Sequence, residues 1–227
     1  MDQERVTIIM PVYNSGRFLQ LAIEAIINNT RYPYDLIIVE SESTDGSAEL
    51  CDEYAKTFRH IKVIHTKKEG LVKAINTGIR ACDTDVYLTQ DDVIVPKLFE
   101  RDWLWELVQQ KKLENCGAVT TLLGGGVSGP TYIDGLHWAG TWSLFIPRST
   151  INQIGLFDEN LGPGDDIDYS YRIYTSGLRI YLANFWVDHH RKTEHPAESD
   201  ENFKEKARLF RQKYKLGEYN EGNSNSN

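Results

Sequence analysis

The chain has 227 residues, of which 41% are hydrophobic and 26% charged, and a formal net charge of −8. That length suits one large α/β domain with a real core, and the composition is ordinary for a globular protein. An acidic balance without any basic run argues against nucleic acid as a partner, and no apolar stretch reaches the length of a bilayer span.

The opening MDQERVTIIMPVYN has no basic region ahead of a long apolar one, so no secretory signal is expected. Cys51, Cys82 and Cys116 are odd in number and widely spaced, which points to reduced thiols in a cytoplasmic protein.

Residues 6–10 (VTIIM) read as a buried strand that Pro11 should stop. PVYNSG then turns the chain, with Asn14 or Ser15 available to cap a helix. Phe18, Leu21, Ala22, Ala25 and Ile26 fall on one face of that helix. Residues 36–39 (LIIV) form the next strand and empty into the polar turn ESESTDGS. A second helix is predicted over 47–58 with Cys51, Tyr54, Ala55 and Phe58 inward, and a third strand over 61–64. Leu71, Ala74, Ile75, Gly78, Ile79 and Cys82 mark a third helix, and residues 86–88 a fourth strand. This alternation predicts a mostly parallel sheet with helices on both faces.

Beyond Pro96 the pattern loosens. A helix is predicted over 99–112, strands over 119–123 and 143–146, and a short helix over 149–154. Between them, the glycine-rich loop 124–131 lacks the context of a phosphate-binding fingerprint and reads as a functional loop. GLFDENLGPG leads to a helix opening at Asp165 and Asp166, with Ile167, Tyr171 and Tyr174 inward. Acids in a first turn also suit the helix dipole, which needs no function. A strand over 180–183, the stretch VDHHRKTEH and a last helical face of Phe203, Ala207, Phe210 and Tyr214 complete the domain over 1–217. Residues 218–227 are polar and expected to be disordered.

The chemistry concentrates in VYLTQDDV, where a buried strand ends in adjacent Asp91 and Asp92. A strand's carboxyl edge delivers such acids into the crevice where open α/β sheets bind ligands, and two like charges favour full solvation or a shared cation.

Four separated pieces, PVYN, VESESTDGS, LTQDDV and GLFDENLGPGDDIDYSYR, follow one another at the ends of strands and helices. Their order and spacing resemble the family 2 glycosyltransferases, over about residues 6 to 190. The resemblance implies a GT-A fold: α/β, a Rossmann-like three-layer sandwich around a central, mostly parallel sheet. It also implies transfer of a sugar from a UDP- or GDP-linked donor to an acceptor hydroxyl, with inversion and a divalent ion, Mn²⁺ or Mg²⁺, on the diphosphate.

By that resemblance Pro11, Val12 and Tyr13 line the nucleotide pocket. Glu40 stands where the family has an Asp that contacts the base, or else it holds its own turn with Thr44 and Asp45. The family's DxD falls on Thr89, Gln90 and Asp91, so the first acid is missing. Asp91 would bind the metal, while Thr89 or Gln90 could reach the ribose by hydrogen bond. Asp92 either supports Asp91 or belongs to the turn.

Asp166 falls on the acid that deprotonates the acceptor, making it the candidate general base, with Asp165 as its helper. Asp168 and Arg172, four apart, read as a surface or supporting pair. His189, ahead of His190, fits a late histidine that completes the metal shell or meets phosphate. Lys73 reads either as a phosphate partner or as a solvated side chain. Trp138 and Trp142, on either side of Gly140, read as a sugar platform or as core.

Two alternatives remain open at this point. A catalytically degenerate domain that binds a nucleotide sugar or a partner is favoured by Thr89 and opposed by the retention of Asp91 and Asp166. A sugar-nucleotide pyrophosphorylase would carry a glycine- and arginine-rich loop that PVYNSGRF lacks. The resemblance implies a saccharide or lipid-linked acceptor, so peripheral membrane contact fits as well as a cytoplasmic location.

Overall fold

The computed structural model describes residues 4–123, 131–133, 136–161, 165–190 and 208–215, with backbone alone for 131–133 and 136–137. Most of loop 124–131, the side chains Phe203 and Ala207, and the tail 218–227 lie outside the described residues.

Four strands, β1 (Val6–Val12), β2 (Tyr34–Glu40), β3 (Ile61–His65) and β4 (Asp85–Thr89), run parallel. They alternate with helices α1 (Phe18–Asn29), α2 (Ser47–Thr57) and α3 (Leu71–Arg80). The short β5 (Val93–Ile94), α4 (Trp103–Gln110), β6 (Cys116–Leu123), the hairpin β7 (Thr131–Ile133) and β8 (Leu136–Trp138), and β9 (Ser143–Ile146) follow. The chain continues through α5 (Arg148–Ile154), α6 (Asp165–Thr175) and β10 (Arg179–His189) to helical residues 208–214. The main sheet has eight strands in the order β3-β2-β1-β4-β9-β6-β10-β5, with β9 antiparallel to both neighbours and β5 antiparallel to β10.

Both sheet faces are covered, which explains why β1, β2 and β4 read as apolar runs without alternation. Val6, Ile8, Met10 and Val12 pack on one face with α1, α2 and α4, while Ile9, Ile37, Val39, Val86 and Leu88 pack on the other with α3, α5 and α6. Each fully buried aliphatic side chain contributes roughly 1.5–3 kcal/mol. A smaller cluster of Ile167 and Phe210, with Trp138, Tyr171 and Tyr214 against it, joins α6 to residues 208–214.

Several sequence expectations need correcting. Pro11 does not stop β1 but pairs with Val39 inside it. The Val6 N–H and the Val12 carbonyl bond on the β2 side, so by alternation the Pro11 nitrogen faces β4. There the register ends at Ile9 opposite Leu88, and no ladder donor is lost. Neither Asn14 nor Ser15 caps α1, because both side chains are used between loops. Leu21 is exposed, and Leu19 and Ile23 take the core face instead.

Helix α4 begins only at Trp103, because Asp102 caps it by accepting from Trp105 N at 2.9 Å. On α6 the deepest aromatic and aliphatic side chains are Tyr169 and Ile173, with Tyr171 and Tyr174 half-buried. β10 extends from Arg179 to His189, so His189 lies within the strand rather than after it. The three cysteines are free thiols, and burial pushes Cys51 up to about 12.

Candidate active site

The carboxyl ends of three strands form a level row, since Val12 is in register with Glu40, and Glu40 with His65. Two loops leave this row and are stapled together. Asn14 N donates to Ser43 Oγ at 3.0 Å, Thr44 N to Asn14 Oδ1 at 2.8 Å, Ser15 N to Ser47 Oγ at 3.1 Å, and Gly16 N to Asp45 Oδ2 at 2.8 Å. Asn14 and Glu42 both have left-handed backbone, at φ 48° and 55°, a conformation stored at functional loops when neighbours enforce it.

Glu40 is 2% exposed, and its carboxylate is held from two sides. Ser43 N donates to Oε1 at 2.6 Å, and His65 Nδ1 lies 3.0 Å from Oε2. Burial alone would raise this carboxyl, but the hydrogen bonds from Ser43 and His65 outweigh it and hold the group below the ordinary range. His65 Nε2 in turn lies 3.0 Å from Asp52 Oδ1, and the bonds to Glu40 and Asp52 raise the imidazole above its ordinary value. Glu40 therefore holds its own turn through Ser43 and the end of β3 through His65, whereas the sequence reading of a turn role names Thr44 and Asp45. Above this row, the Tyr13 hydroxyl accepts from Lys68 Nζ at 2.7 Å, and the ammonium sits 4.0 Å from the ring centroid.

β4 delivers the acidic turn. Thr89 is 1% exposed, and its Oγ1 has no hydrogen-bond partner among the described residues. Gln90 O accepts from Val93 N at 3.2 Å, closing a tight turn that presents Asp91 and Asp92. Ser15 Oγ donates to Asp91 Oδ2, tying the β1 loop to the β4 turn. Asp92 faces the other way, toward His189 Nε2 at 3.2 Å, and its carbonyl accepts from His190 N at 2.9 Å. Trp142 stacks on His189 with centroids 6.3 Å apart. Ser15, Asp91, Asp92, His189 and Trp142 thus form one connected line along the carboxyl edge.

α6 enters from the opposite face. A short turn links it to the start of β10, against which it packs, so it runs back along that strand. Its first residues, Asp165 and Asp166, accordingly lie toward the carboxyl ends of the strands. Both are 8% exposed, and Asp166 Oδ1 accepts from Ile167 N at 2.9 Å. Trp138 packs on the small cluster beside this first turn, and Ala139 N donates to Ser170 Oγ at 3.0 Å.

A family model described as Glycosyl transferase family 2 matches residues 7–121, about half of the chain, from β1 through the acidic turn into β6. The chain belongs to glycosyl transferase family 2. The glycosyltransferase GlyG of Streptococcus pneumoniae is 31% identical over 112 residues, covering 48% of this chain and 36% of its own length. A Bacillus subtilis protein named uncharacterized glycosyltransferase EpsJ is 33% identical over 114 residues, 49% of this chain and 33% of its own. The match thus spans about a third of the length of these curated relatives. Mannosyltransferase PcManGT from Pyrobaculum calidifontis, solved in complex with GDP-Man and Mn²⁺, superimposes with a TM-score of 0.77 at 20% identity, over 96% of this chain and 66% of that one. The fold is GT-A.

For a family 2 member, most of the sequence-predicted residues fall where strand ends meet. Pro11, Val12, Tyr13 and Glu40 share the β1–β2 end, and Thr89, Gln90, Asp91 and His189 share the β4–β10 end. Lys73, in the first turn of α3, donates through Nζ to Glu69 Oε1 at 2.9 Å on the surface. Trp138 and Trp142 separate, the first toward α6 and the second toward His189. Of the two readings of Asp168 and Arg172, the surface one is excluded, because Asp168 is 0% exposed, and the pair itself is present at 2.9 Å.

His65 and Lys68 escaped the sequence reading, and Ser15 enters it only as a helix cap, not as a partner of Asp91. His65 sits one step past the predicted third strand, and Ser15 lies in the PVYNSG turn that follows the first, which is the signal that could have found them. Among the described residues no three His, Cys, Asp or Glu side chains converge on an ion, and no helix is long and apolar enough to cross a membrane.

Proposed function

We propose that the chain is an inverting hexosyltransferase that moves a sugar from a nucleoside-diphosphate donor to an acceptor hydroxyl. The observation that carries this reading is the Ser15–Asp91 bond, which sets a β4 carboxylate across the mouth of the β1–β2 loops that the family match covers. In this reading Pro11, Val12 and Tyr13 bound the nucleotide, with Glu40 holding the turn beneath it. The orphaned Thr89 Oγ1 and the Gln90 amide supply hydrogen bonds that a ribose would complete.

Asp91 and His189 would hold the divalent ion, Mn²⁺ or Mg²⁺. The donor set fits, because such ions commonly take only one or two protein groups and fill the remaining positions from substrate phosphates and water. When bound, the ion offsets charge on the departing diphosphate. The PcManGT complex with GDP-Man and Mn²⁺ supports this choice by likeness of fold.

Asp166 removes the proton from the acceptor hydroxyl as it attacks the anomeric carbon. The Ile167 N–H fixes the carboxylate for that role, and Asp165 orients the acceptor. Trp138, Gly140 and Trp142 bound the sugar side. The acceptor is a saccharide or a lipid-linked sugar.

A screen of UDP- and GDP-sugars with Mn²⁺ or Mg²⁺, reading release of nucleoside diphosphate, tests the reading alongside Asp91→Ala and Asp166→Asn. One donor is expected to turn over. Asp91→Ala should lose metal-dependent donor binding, and Asp166→Asn should retain binding but lose at least about 10²-fold in kcat. Binding without turnover in the wild type would favour a degenerate nucleotide-sugar-binding domain, the reading that Thr89 supports. No donor bound at all would sink both.

A further inference from the structure

Asp168 lies two residues past Asp166 and is fully buried, so its charge needs partners. Oδ2 accepts from Arg172 Nε at 2.9 Å, and Oδ1 accepts from Tyr214 OH at 2.7 Å and Lys213 Nζ at 2.5 Å. Lys213 Nζ also donates to Asp158 Oδ2 at 2.8 Å. Asp158 sits in residues 155–161, which approach α6 from its N-terminal side. The end of α5 and the start of this stretch are gripped by Arg172, which donates to Ile154 O at 2.7 Å and Leu156 O at 3.0 Å, and by Phe157 stacking on Tyr169 at 4.0 Å. One ammonium, some 45 residues further along the chain, therefore joins carboxylates on both sides of the entry to α6.

We propose that Lys213 is a positioning residue for Asp166, clamping Asp158 to Asp168 so that the first turn of α6 holds one place relative to the strand ends. The inference rests on the reading of Asp166 as the base. Burial alone would lower the Lys213 ammonium, but the bonds to Asp158 and Asp168 outweigh it and raise it. The clamp is therefore charged at neutral pH. The helix that carries Lys213 has a second attachment, Phe210 and Tyr214 against Tyr171 with ring centroids 5.1 and 4.3 Å away, so it keeps its seat when the ammonium is removed. A misplacement of about 1 Å at a reacting group costs up to about 10²-fold in rate.

The test compares the full chain with Lys213→Ala and Lys213→Arg, reading UDP or GDP release from UDP-glucose and GDP-mannose with Mn²⁺, and backbone amide exchange without donor. Lys213→Ala is expected to lose roughly tenfold to a hundredfold in kcat with donor KM nearly unchanged, and Lys213→Arg to recover most of it. Exchange should quicken in residues 155–161 and 165–169 and stay the same in β1, β2 and β4. An unchanged kcat, a failed rescue by Arg, or faster exchange across the whole sheet overturns the proposal. Asp166→Asn separates it from the reading beneath it. Release that survives Asp166→Asn removes the base assignment, whereas release that needs Asp166 but ignores Lys213→Ala removes the clamp. No release from the wild type with either donor sinks the inference.

Discussion

Gly140 shapes the site by what it lacks. A Cβ there would stand 2.0 Å from Trp142 Nε1 and 2.4 Å from its Cδ1, so the indole can reach His189 only over a glycine. Trp142 also packs on the main core, which leaves it little room to retreat. Gly140→Ala is expected to cost about 1–3 kcal/mol in urea denaturation and to alter tryptophan fluorescence in the folded state. At this same scale Asp168 shows the limit of spacing arguments. Its i, i+4 relation to Arg172 correctly gives the contact, but not that Lys213 and Tyr214 close over the pair and bury it. Burial, and then the hydrogen bond that Tyr214 donates to Asp168, push the Tyr214 phenol up to about 12.

At the scale of elements, the ends of β2 and β3 are coupled by charge. Glu40 is held below the ordinary carboxyl value of 4.5, so its contribution is present above that value and fades as pH falls through the lower, folded one. His65 is raised above the ordinary imidazole value of 6.5, so its contribution is complete below that value and is lost as pH rises through the higher, folded one. Both contributions are complete only between these limits. The stability difference between wild type and His65→Gln, measured by urea denaturation from pH 4 to 9, is expected to be largest between about pH 4.5 and 6.5 and to shrink on both sides. A difference that grows steadily toward pH 9 would disprove the coupling. The same ends explain the missed caps of α1. Ser15 and Asn14 have local capping propensity, but the facing turn and Asp91 compete for their side chains and win.

Across the whole molecule, the eight-stranded sheet runs without a break from the half matched by the family model to the half beyond it. β4 and β6 both pair with β9, so neither half keeps its core if the other opens. Urea unfolding followed by far-UV circular dichroism and by fluorescence of the buried Trp103 is expected to give coincident transitions. Separate midpoints would show two cooperative units instead.

The alternation of apolar runs and helical faces from Val6 to Leu88 determined the parallel half by itself, because β1, β2 and β4 are buried on both faces and each helix on one. Pattern and motif together also located the carboxyl-edge acids, Asp91 and Asp166, since strand and helix termini are legible from local chemistry. The second half was less legible: β9 inserts antiparallel between β4 and β6, and the core face of α6 turns to Tyr169 and Ile173. Those choices, like the Asp92–His189 contact, the His65 lock and the Lys213 clamp, bring together groups from well-separated parts of the chain. Local propensity carries no information about such partners. They are decided when the sheet closes its order and buried charges must find the nearest opposite group.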